Sequence, residues 1–139
     1  MAMAAVVPAD PIGERVDRRS RYLADGLRAG GLLRADVVVL CCDAHTEDRL
    51  VALLAGERAG RPTRMLEPSH WRAGWLRQLG RELDGPLVLA CEEGVAAWQA
   101  SGARGRVVAD GAGTGIHWWR LVELQGRMRL HIQRGDAAC

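Results

Sequence analysis

Two adjacent acids, Glu92 and Glu93, directly follow the apolar run Pro86 to Cys91. A carboxyl group held between an apolar strand and apolar or aromatic walls can have its pKa raised toward neutrality, and it then exchanges protons with a substrate. Two acids in the first turn of a helix also stabilise that helix through its dipole without any catalytic role. Both interpretations stay open, and Glu92 and Glu93 are the first candidates for acid/base chemistry.

A second group of chemically capable side chains lies at a predicted helix start, where His70, Trp71 and Arg72 follow Pro68-Ser69. Arginine can hold a substrate carboxylate through two parallel hydrogen bonds, histidine can supply a proton, and an indole face suits an aromatic ligand. The alternative is that His70 and Arg72 are solvated surface residues. We therefore predict His70 as a further catalytic candidate, and Arg72 and Trp71 as substrate-binding residues.

Two more substrate-binding candidates come from predicted strand ends. Asp43 follows the run Ala35 to Cys42, and Trp118 belongs to the pair Trp118-Trp119. Neighbouring residues of a strand point to opposite faces, so one tryptophan of the pair is free to line a pocket or a subunit contact. Ligands gather at the carboxyl ends of parallel strands, which is where Asp43 is expected.

The sequence indicates neither a metal site nor a cofactor. The cysteines form no C-x-x-C pair, and the histidines outside the Pro68-Ser69 region have no helical i, i+4 partner. Cys42 with His45 as a nucleophilic pair is an alternative to a plain buried thiol. The residues concerned are Cys41, Cys42, Cys91, Cys139, His45, His117 and His131.

Composition limits the classes of function. The formal net charge is +2, and cations and anions are spread along the chain, which favours neither a nucleic-acid nor a membrane partner. All 19 cationic residues are arginine, so a Schiff-base lysine and a phosphate-binding P-loop lysine are excluded. No basic leader or membrane-length apolar segment is present, and we expect a cytoplasmic protein acting on a small molecule.

Hydrophobic patterns alternate between helix and strand. Strands are predicted at Ala35 to Cys42, Thr63 to Leu66, Pro86 to Cys91 and Arg106 to Ala109. Helices are predicted near 13–31, from Thr46, from Pro68 and from Glu92. The helix that begins at Pro68 carries an apolar stripe that is expected to pack on the sheet, made of Trp71, Trp75, Leu79 and Leu83. The fold class is therefore α/β, with a small, mostly parallel sheet of about four strands and helices on both faces.

The domain prediction is one α/β unit over 1–139, with 1–12 flexible. Gln125-Gly126 is a turn signal between two apolar segments, so 116–133 is predicted to be an antiparallel hairpin at the sheet edge. An exposed edge strand favours pairing between chains, which predicts a homodimer.

One stretch of the chain covers residues 22–60, from YLADGLRAGG to LLAGERAG, and a second covers residues 80–110, with the strands PLVLAC and RVVAD. Together they resemble the opening segment of adenylate-forming enzymes, the acyl-CoA synthetases and adenylation domains. That resemblance implies an α/β scaffold. The family also uses a phosphate-binding loop ending in lysine and a lysine on a C-terminal domain, and this lysine-free chain has neither. The glycine-rich run 111–115 is interpreted as a plain loop. We therefore predict a truncated scaffold without ATP chemistry.

Three functions remain open. The first is a small biosynthetic enzyme that uses acid/base chemistry for a condensation or cyclisation, such as a Pictet-Spengler reaction of an aromatic or amino-acid-derived substrate. The second is a non-catalytic partner of a separate adenylation enzyme. The third is a binding module for a small acyl or aromatic ligand.

Overall fold

The computed structural model describes residues 11–32, 36–110 and 117–133. Nearly all of the segment predicted to be flexible, and the glycine-rich run 111–115, lie outside these ranges. Five helices and five strands follow one another: α1 (Pro11–Ala29), β1 (Val37–Leu40), α2 (Thr46–Arg58), β2 (Thr63–Met65), α3 (Ala73–Glu82), β3 (Leu87–Cys91), α4 (Glu92–Ser101), β4 (Arg106–Asp110), β5 (His117–Trp118) and α5 (Trp119–Gln133). Short 3-10 turns, Asp43–His45 and Pro68–His70, follow β1 and β2.

The strands form one sheet in the order β2-β1-β3-β4-β5, and every pairing is parallel. Val37 of β1 is in register with Thr63 of β2 on one side and with Leu87 of β3 on the other. β1 and β3 are buried along their whole length, as expected for strands covered on both faces. The predicted α/β class with a parallel sheet is confirmed.

The predicted hairpin over 116–133 is wrong. His117–Trp118 pairs parallel with β4, and the chain then forms the 15-residue helix α5. Trp119, Val122 and Gly126 are buried at a spacing of three to four residues, which is the period of a helix face. Gly126 is therefore a packing residue inside a helix rather than part of a turn.

Helices cover both faces of the sheet. Alternate residues of β1 and β3 pack with α1, α2 and α5 on one face, where Val39 and Leu89 contact a cluster that includes Leu23, Val51 and Trp119. The other residues of these strands, such as Leu40, pack with Leu76 of α3 and Trp98 of α4. The connection from β1 to β2 runs in one direction along the sheet, and the connections from β2 to β3 and from β3 to β4 run in the other. Right-handed connections therefore place α2 on one face of the sheet and α3 and α4 on the opposite face.

The stripe predicted on α3 faces the sheet only in part. Leu76 is fully buried and Leu79 is half-buried, whereas the Trp75 side chain is 60% exposed. Within α3 the buried positions are Leu76 and Gly80, four residues apart, and Trp75 lies one position outside that face. The expectation that Trp75 packs on the sheet is therefore wrong.

An ion-pair network joins the helices of the first face. The Arg19 guanidinium on α1 lies 2.9 Å from Glu123 of α5 and 2.8 Å from Asp48 of α2. Burial opposes the charge on Arg19, but its hydrogen bonds to Glu123 and Asp48 raise its pKa overall. Burial also raises the pKa of Glu123. This network ties α5 to the rest of the fold.

None of the described helices combines the length and the apolar character needed to cross a lipid bilayer.

Candidate functional site

The carboxyl ends of β1 and β3 form the centre of the candidate site. β1 continues through α2 to one side of the sheet, and β3 continues through α4 to the other, so the connections diverge between these two strands. In open α/β sheets this divergence leaves a crevice in which ligands bind. The residues that follow the two strands, beginning at Cys41 and Glu92, therefore line the expected ligand position.

Close packing of α4 against β1 sets the shape of this crevice. Gly94, in the first turn of α4, approaches the carbonyl oxygen of Leu40 so closely that a Cβ at this position would overlap it. The first turn of α4 therefore lies directly beside the end of β1. This contact brings Glu93 to the residues of the 3-10 turn that follows β1.

Glu93 and His45 form a pair across the crevice. His45 Nε2 lies 3.3 Å from Glu93 Oε2, and the side chains are 33% and 59% exposed. A hydrogen bond from the Cys91 thiol and the backbone N–H of Glu93 lower the pKa of this carboxyl, and His45 adds to the effect. The raised pKa expected for a carboxyl between apolar walls is wrong for Glu93, because its side chain is largely solvated.

Two thiols lie beneath this pair. Cys42 Sγ and Cys91 Sγ are 3.8 Å apart, although the residues are separated by 49 positions in sequence. Cys91 is buried, and burial, followed by its hydrogen bond to Glu93, raises its pKa to about 11. Cys42 is half-buried and faces the same crevice floor. No pattern along the chain predicts this cluster, because only the pairing of β1 with β3 brings the two thiols together.

The predicted group at the end of β2 lies apart from Glu93. β1 stands between β2 and β3, so the two loops begin about 10 Å apart at the usual strand spacing. Within this group, the His70 ring stacks on Trp75, with centroids 5.7 Å apart. Trp71 Nε1 donates a hydrogen bond of 3.0 Å to the Leu66 carbonyl. The indole of Trp71 is therefore anchored, whereas Arg72, at the N-cap of α3, is exposed.

Asp43 takes part in a surface network between the ends of β1 and β2. Arg49 Nη1 donates to Asp43 Oδ1 at 2.6 Å, and its Nη2 donates to Glu67 Oε1 at 2.8 Å. Arg49 therefore bridges the two acids that border the crevice on the β2 side and offsets one of their two negative charges. In this arrangement Asp43 positions Arg49 and the surrounding loops.

Two predicted site residues remain, Glu92 and Trp118. Glu92 is exposed in the first turn of α4, next to Glu93. Trp118 lies in β5, but its side chain is outside the described part of the structure. The structure thus brings Glu93 together with Cys42, His45 and Cys91.

Comparison with known proteins identifies the scaffold. No family model matches the sequence, and no curated protein matches it. The fold is similar to three solved structures, each over 78% of this chain. They are the luciferase-like enzyme of the nonluminescent mealworm Zophobas morio (20% identity, TM-score 0.62), a benzoate CoA ligase of Burkholderia xenovorans LB400 (16%, 0.63) and ATP-bound MatB of Rhodopseudomonas palustris (23%, 0.51).

The chain spans only 26%, 22% and 22% of those three proteins, respectively. The resemblance to a segment of adenylate-forming enzymes, predicted from residues 22–60 and 80–110, is confirmed for the fold. At 16 to 23% identity, this likeness shows the fold of the chain and does not show its activity.

Proposed function

We propose that this chain is a small biosynthetic enzyme that uses an adenylation-enzyme-like scaffold for acid/base chemistry without ATP. The observation that carries the proposal is the His45–Glu93 pair, 3.3 Å apart, in the crevice where β1 and β3 end. A carboxylate beside an imidazole holds that ring in one orientation and can exchange a proton with it. Glu93 and His45 together can therefore accept a proton from one substrate atom and return it to another.

The part of the proposal that concerns ATP is limited to the residues of this chain. The resemblance implies a phosphate-binding lysine and a lysine that acts in adenylation, and these 139 residues contain no lysine, so they supply neither group themselves. Arginine binds phosphate through a planar, two-pronged contact and does not reproduce the point charge of lysine. We propose that the scaffold serves substrates that need proton transfer but no activation.

The reaction class proposed is condensation of an amine with an aldehyde followed by ring closure, as in a Pictet-Spengler reaction. The amine adds to the aldehyde, water leaves to give an iminium ion, an aromatic carbon attacks that ion, and a proton is lost to restore aromaticity. The steps form one C–N bond and one C–C bond and release water, and the proton taken up as water leaves is returned when aromaticity is restored. There is no net oxidation or reduction, so the reaction needs neither ATP nor an oxidant. His45 and Glu93 would carry these protons, and Arg72, on the connection that follows β2, would hold a substrate carboxylate.

The first prediction tests the proton-transfer pair. In assays that combine tryptophan-like amines with aldehydes, we expect His45→Asn and Glu93→Gln to lower kcat by about 100-fold, within the usual contribution of general acid/base catalysis. Glu92→Gln is the matched control, because Glu92 neighbours Glu93 on the same exposed helix turn. We expect it to change kcat less than about twofold. Chromatography with mass detection separates the cyclised product from the open imine.

Two results would contradict this proposal. Equal rates for the wild type, His45→Asn and Glu93→Gln would remove the pair from the reaction. Release of AMP and pyrophosphate from ATP by the purified chain would contradict the loss of ATP chemistry.

A second candidate function, a partner for a separate adenylation enzyme, is favoured by one surface. The outer face of α5 carries four large apolar side chains that are 50 to 63% exposed: Leu121, Leu124, Met128 and Ile132. Their spacing of three or four residues makes one continuous stripe, which we call the α5 stripe. The chain spans only 22 to 26% of the solved relatives, and an apolar stripe of this kind is the type of surface that a separate protein chain would cover.

The second prediction separates self-association from partner binding. If the α5 stripe, in place of the edge strand expected from the sequence, mediates the predicted homodimer, we expect sedimentation equilibrium to give a dimer for the wild type and a monomer for Met128→Glu. Leu50→Glu is the control, since Leu50 is an exposed leucine on α2. A monomeric wild type that binds a purified adenylation enzyme, with loss of binding in Met128→Glu, would support the partner function. A monomer that binds no such enzyme would contradict both.

A further inference from the structure

We propose that Cys42, Cys91 and Glu93 form a binding site for Zn²⁺ at the floor of the crevice. Their ligand atoms, two thiol sulfurs and a carboxylate oxygen, all lie within 4.8 Å of one another. Within the described residues, Cys91 ends β3, Glu93 lies in the first turn of α4, and Cys42 lies two residues beyond the end of β1, which pairs in register with β3. The inference concerns the same crevice as the proposed reaction but does not depend on that reaction, because metal binding is measured without substrate.

The distance between the sulfurs fits the cation. In a tetrahedral zinc site with Zn–S bonds of ~2.3 Å, two sulfur ligands lie about 3.8 Å apart. Cys42 Sγ and Cys91 Sγ are 3.8 Å apart in this structure. The two thiols can therefore bind one zinc ion without movement of either strand.

The types of ligand select the metal. Two thiolates and one carboxylate favour Zn²⁺ over Mg²⁺ and Ca²⁺, which prefer shells made of oxygen. Three protein ligands leave one of four tetrahedral positions open, as in zinc sites that act on a substrate. Glu93 is 59% exposed and Cys42 is half-buried, so solvent and small molecules reach the open position.

A supporting partner for one ligand is already in place. His45 Nε2 lies 3.3 Å from Glu93 Oε2, and a carboxylate has two oxygens, so one can bind the metal while the other accepts a hydrogen bond from His45. Partners of this kind orient metal ligands and usually contribute ~10- to 100-fold to affinity. With zinc bound, Glu93 becomes a ligand, and His45 remains as the group of the pair that exchanges protons.

Backbone geometry fixes the three ligands in position. Cys91 ends β3 and precedes the first residue of α4, and Cys42 precedes the 3-10 turn after β1. Gly94 packs against the Leu40 carbonyl, so the turn that carries Glu93 cannot move away from the end of β1 without opening a gap. The site is therefore preorganised by the same contact that shapes the crevice.

The experiment uses the full chain, stripped with a chelator and kept under a reductant that contains no thiol. Zn²⁺ is titrated by calorimetry, and Co²⁺ is titrated as a spectroscopic probe, because thiolate bound to Co²⁺ gives a charge-transfer band in the near ultraviolet. We expect one ion per chain and a charge-transfer band for the wild type. Cys42→Ala should weaken Zn²⁺ binding by more than about 100-fold and reduce the band, and His45→Asn should weaken binding about 10-fold.

Two matched controls address the other cysteines. Cys41→Ala changes a buried thiol next to Cys42 and outside the ligand group, and Cys139→Ala removes a thiol outside the described residues. We expect both to keep wild-type affinity. Cys91→Ala is a second ligand variant, with its fold checked by circular dichroism because Cys91 is in the core; Cys42→Ala keeps the test valid if that variant unfolds.

Failure of the wild type to bind Zn²⁺ at micromolar concentrations would overturn the inference, as would unchanged binding in Cys42→Ala. Either result leaves the proton-transfer proposal intact, since the kinetic comparison of His45→Asn, Glu93→Gln and Glu92→Gln tests it separately. Loss of that kinetic effect with retained zinc binding would reject the reaction and keep the site.

Discussion

Replacement of Trp98 by alanine is expected to lower the free energy of unfolding by about 4 kcal/mol, within the range for removing a buried aromatic side chain. Trp98 is 1% exposed and packs between α4 and the sheet with Leu40 and Leu76. Gly105 lies against its ring, so the nearby backbone is already in contact and cannot readily collapse into the cavity. Urea unfolding monitored by far-ultraviolet circular dichroism measures the loss.

Trp75→Ala is the matched control, because it removes the same side chain from the outer face of α3. Trp75 is 60% exposed and contacts the His70 ring, so we expect a change within about 0.5 kcal/mol. Trp98→Phe should cost less than Trp98→Ala, since it keeps an aromatic ring and removes an indole N–H that has no partner among the described residues. Equal losses for Trp98→Ala and Trp75→Ala would contradict the assignment of Trp98 to the core.

Gly126→Ala is expected to destabilise the protein by about 2 kcal/mol, even though alanine is the better helix former. A Cβ at position 126 would overlap the carbonyl oxygen of Tyr22 and approach the backbone of Gly26. These are backbone atoms, so α1 and α5 must separate, at a cost near the upper end of the ~1–3 kcal/mol for overpacking. Helix propensity returns about 1 kcal/mol of that. Thermal and urea unfolding both measure the net loss.

Gly74→Ala is the control for helix propensity. Gly74 lies in α3 with no atom near the position of an added Cβ, so the substitution should be neutral or stabilise the protein by up to about 1 kcal/mol. A Gly126→Ala variant as stable as Gly74→Ala would show that α1 and α5 are not in close contact.

The centre of the sheet was predictable because β1 and β3 are buried on both faces. Runs such as VVVL and LVLAC contain no charge, and a covered parallel strand is the structure that such a run favours. The boundaries of the helices were harder to predict from the sequence. Gly126 next to Gln125 has the local chemistry of a turn, and only the contact with Tyr22 on α1 explains why a glycine lies inside a helix there.

The candidate site was predictable only in part. Glu93 was identified because an acid follows a buried strand, and its place at the sheet edge follows from that pattern. Its contacts with His45 and Cys91 depend on the order of the strands, since β1 and β3 are neighbours in space while β2 lies between them in sequence. A pattern read along the chain cannot show that Cys42 and Cys91 meet.

The order of the strands also determines how the chain reaches its fold. The pairs β1–β2 and β3–β4 are each connected through one helix. The central pair, β1 with β3, is separated in sequence by α2, β2 and α3, so it forms only across this long intervening segment. Such long-range pairing makes folding slow, and in the meantime uncharged strands such as VVVL and LVLAC are open to other chains. Newly made protein is therefore most vulnerable to aggregation before β1 and β3 have joined, so expression at low temperature and low rate should favour its recovery.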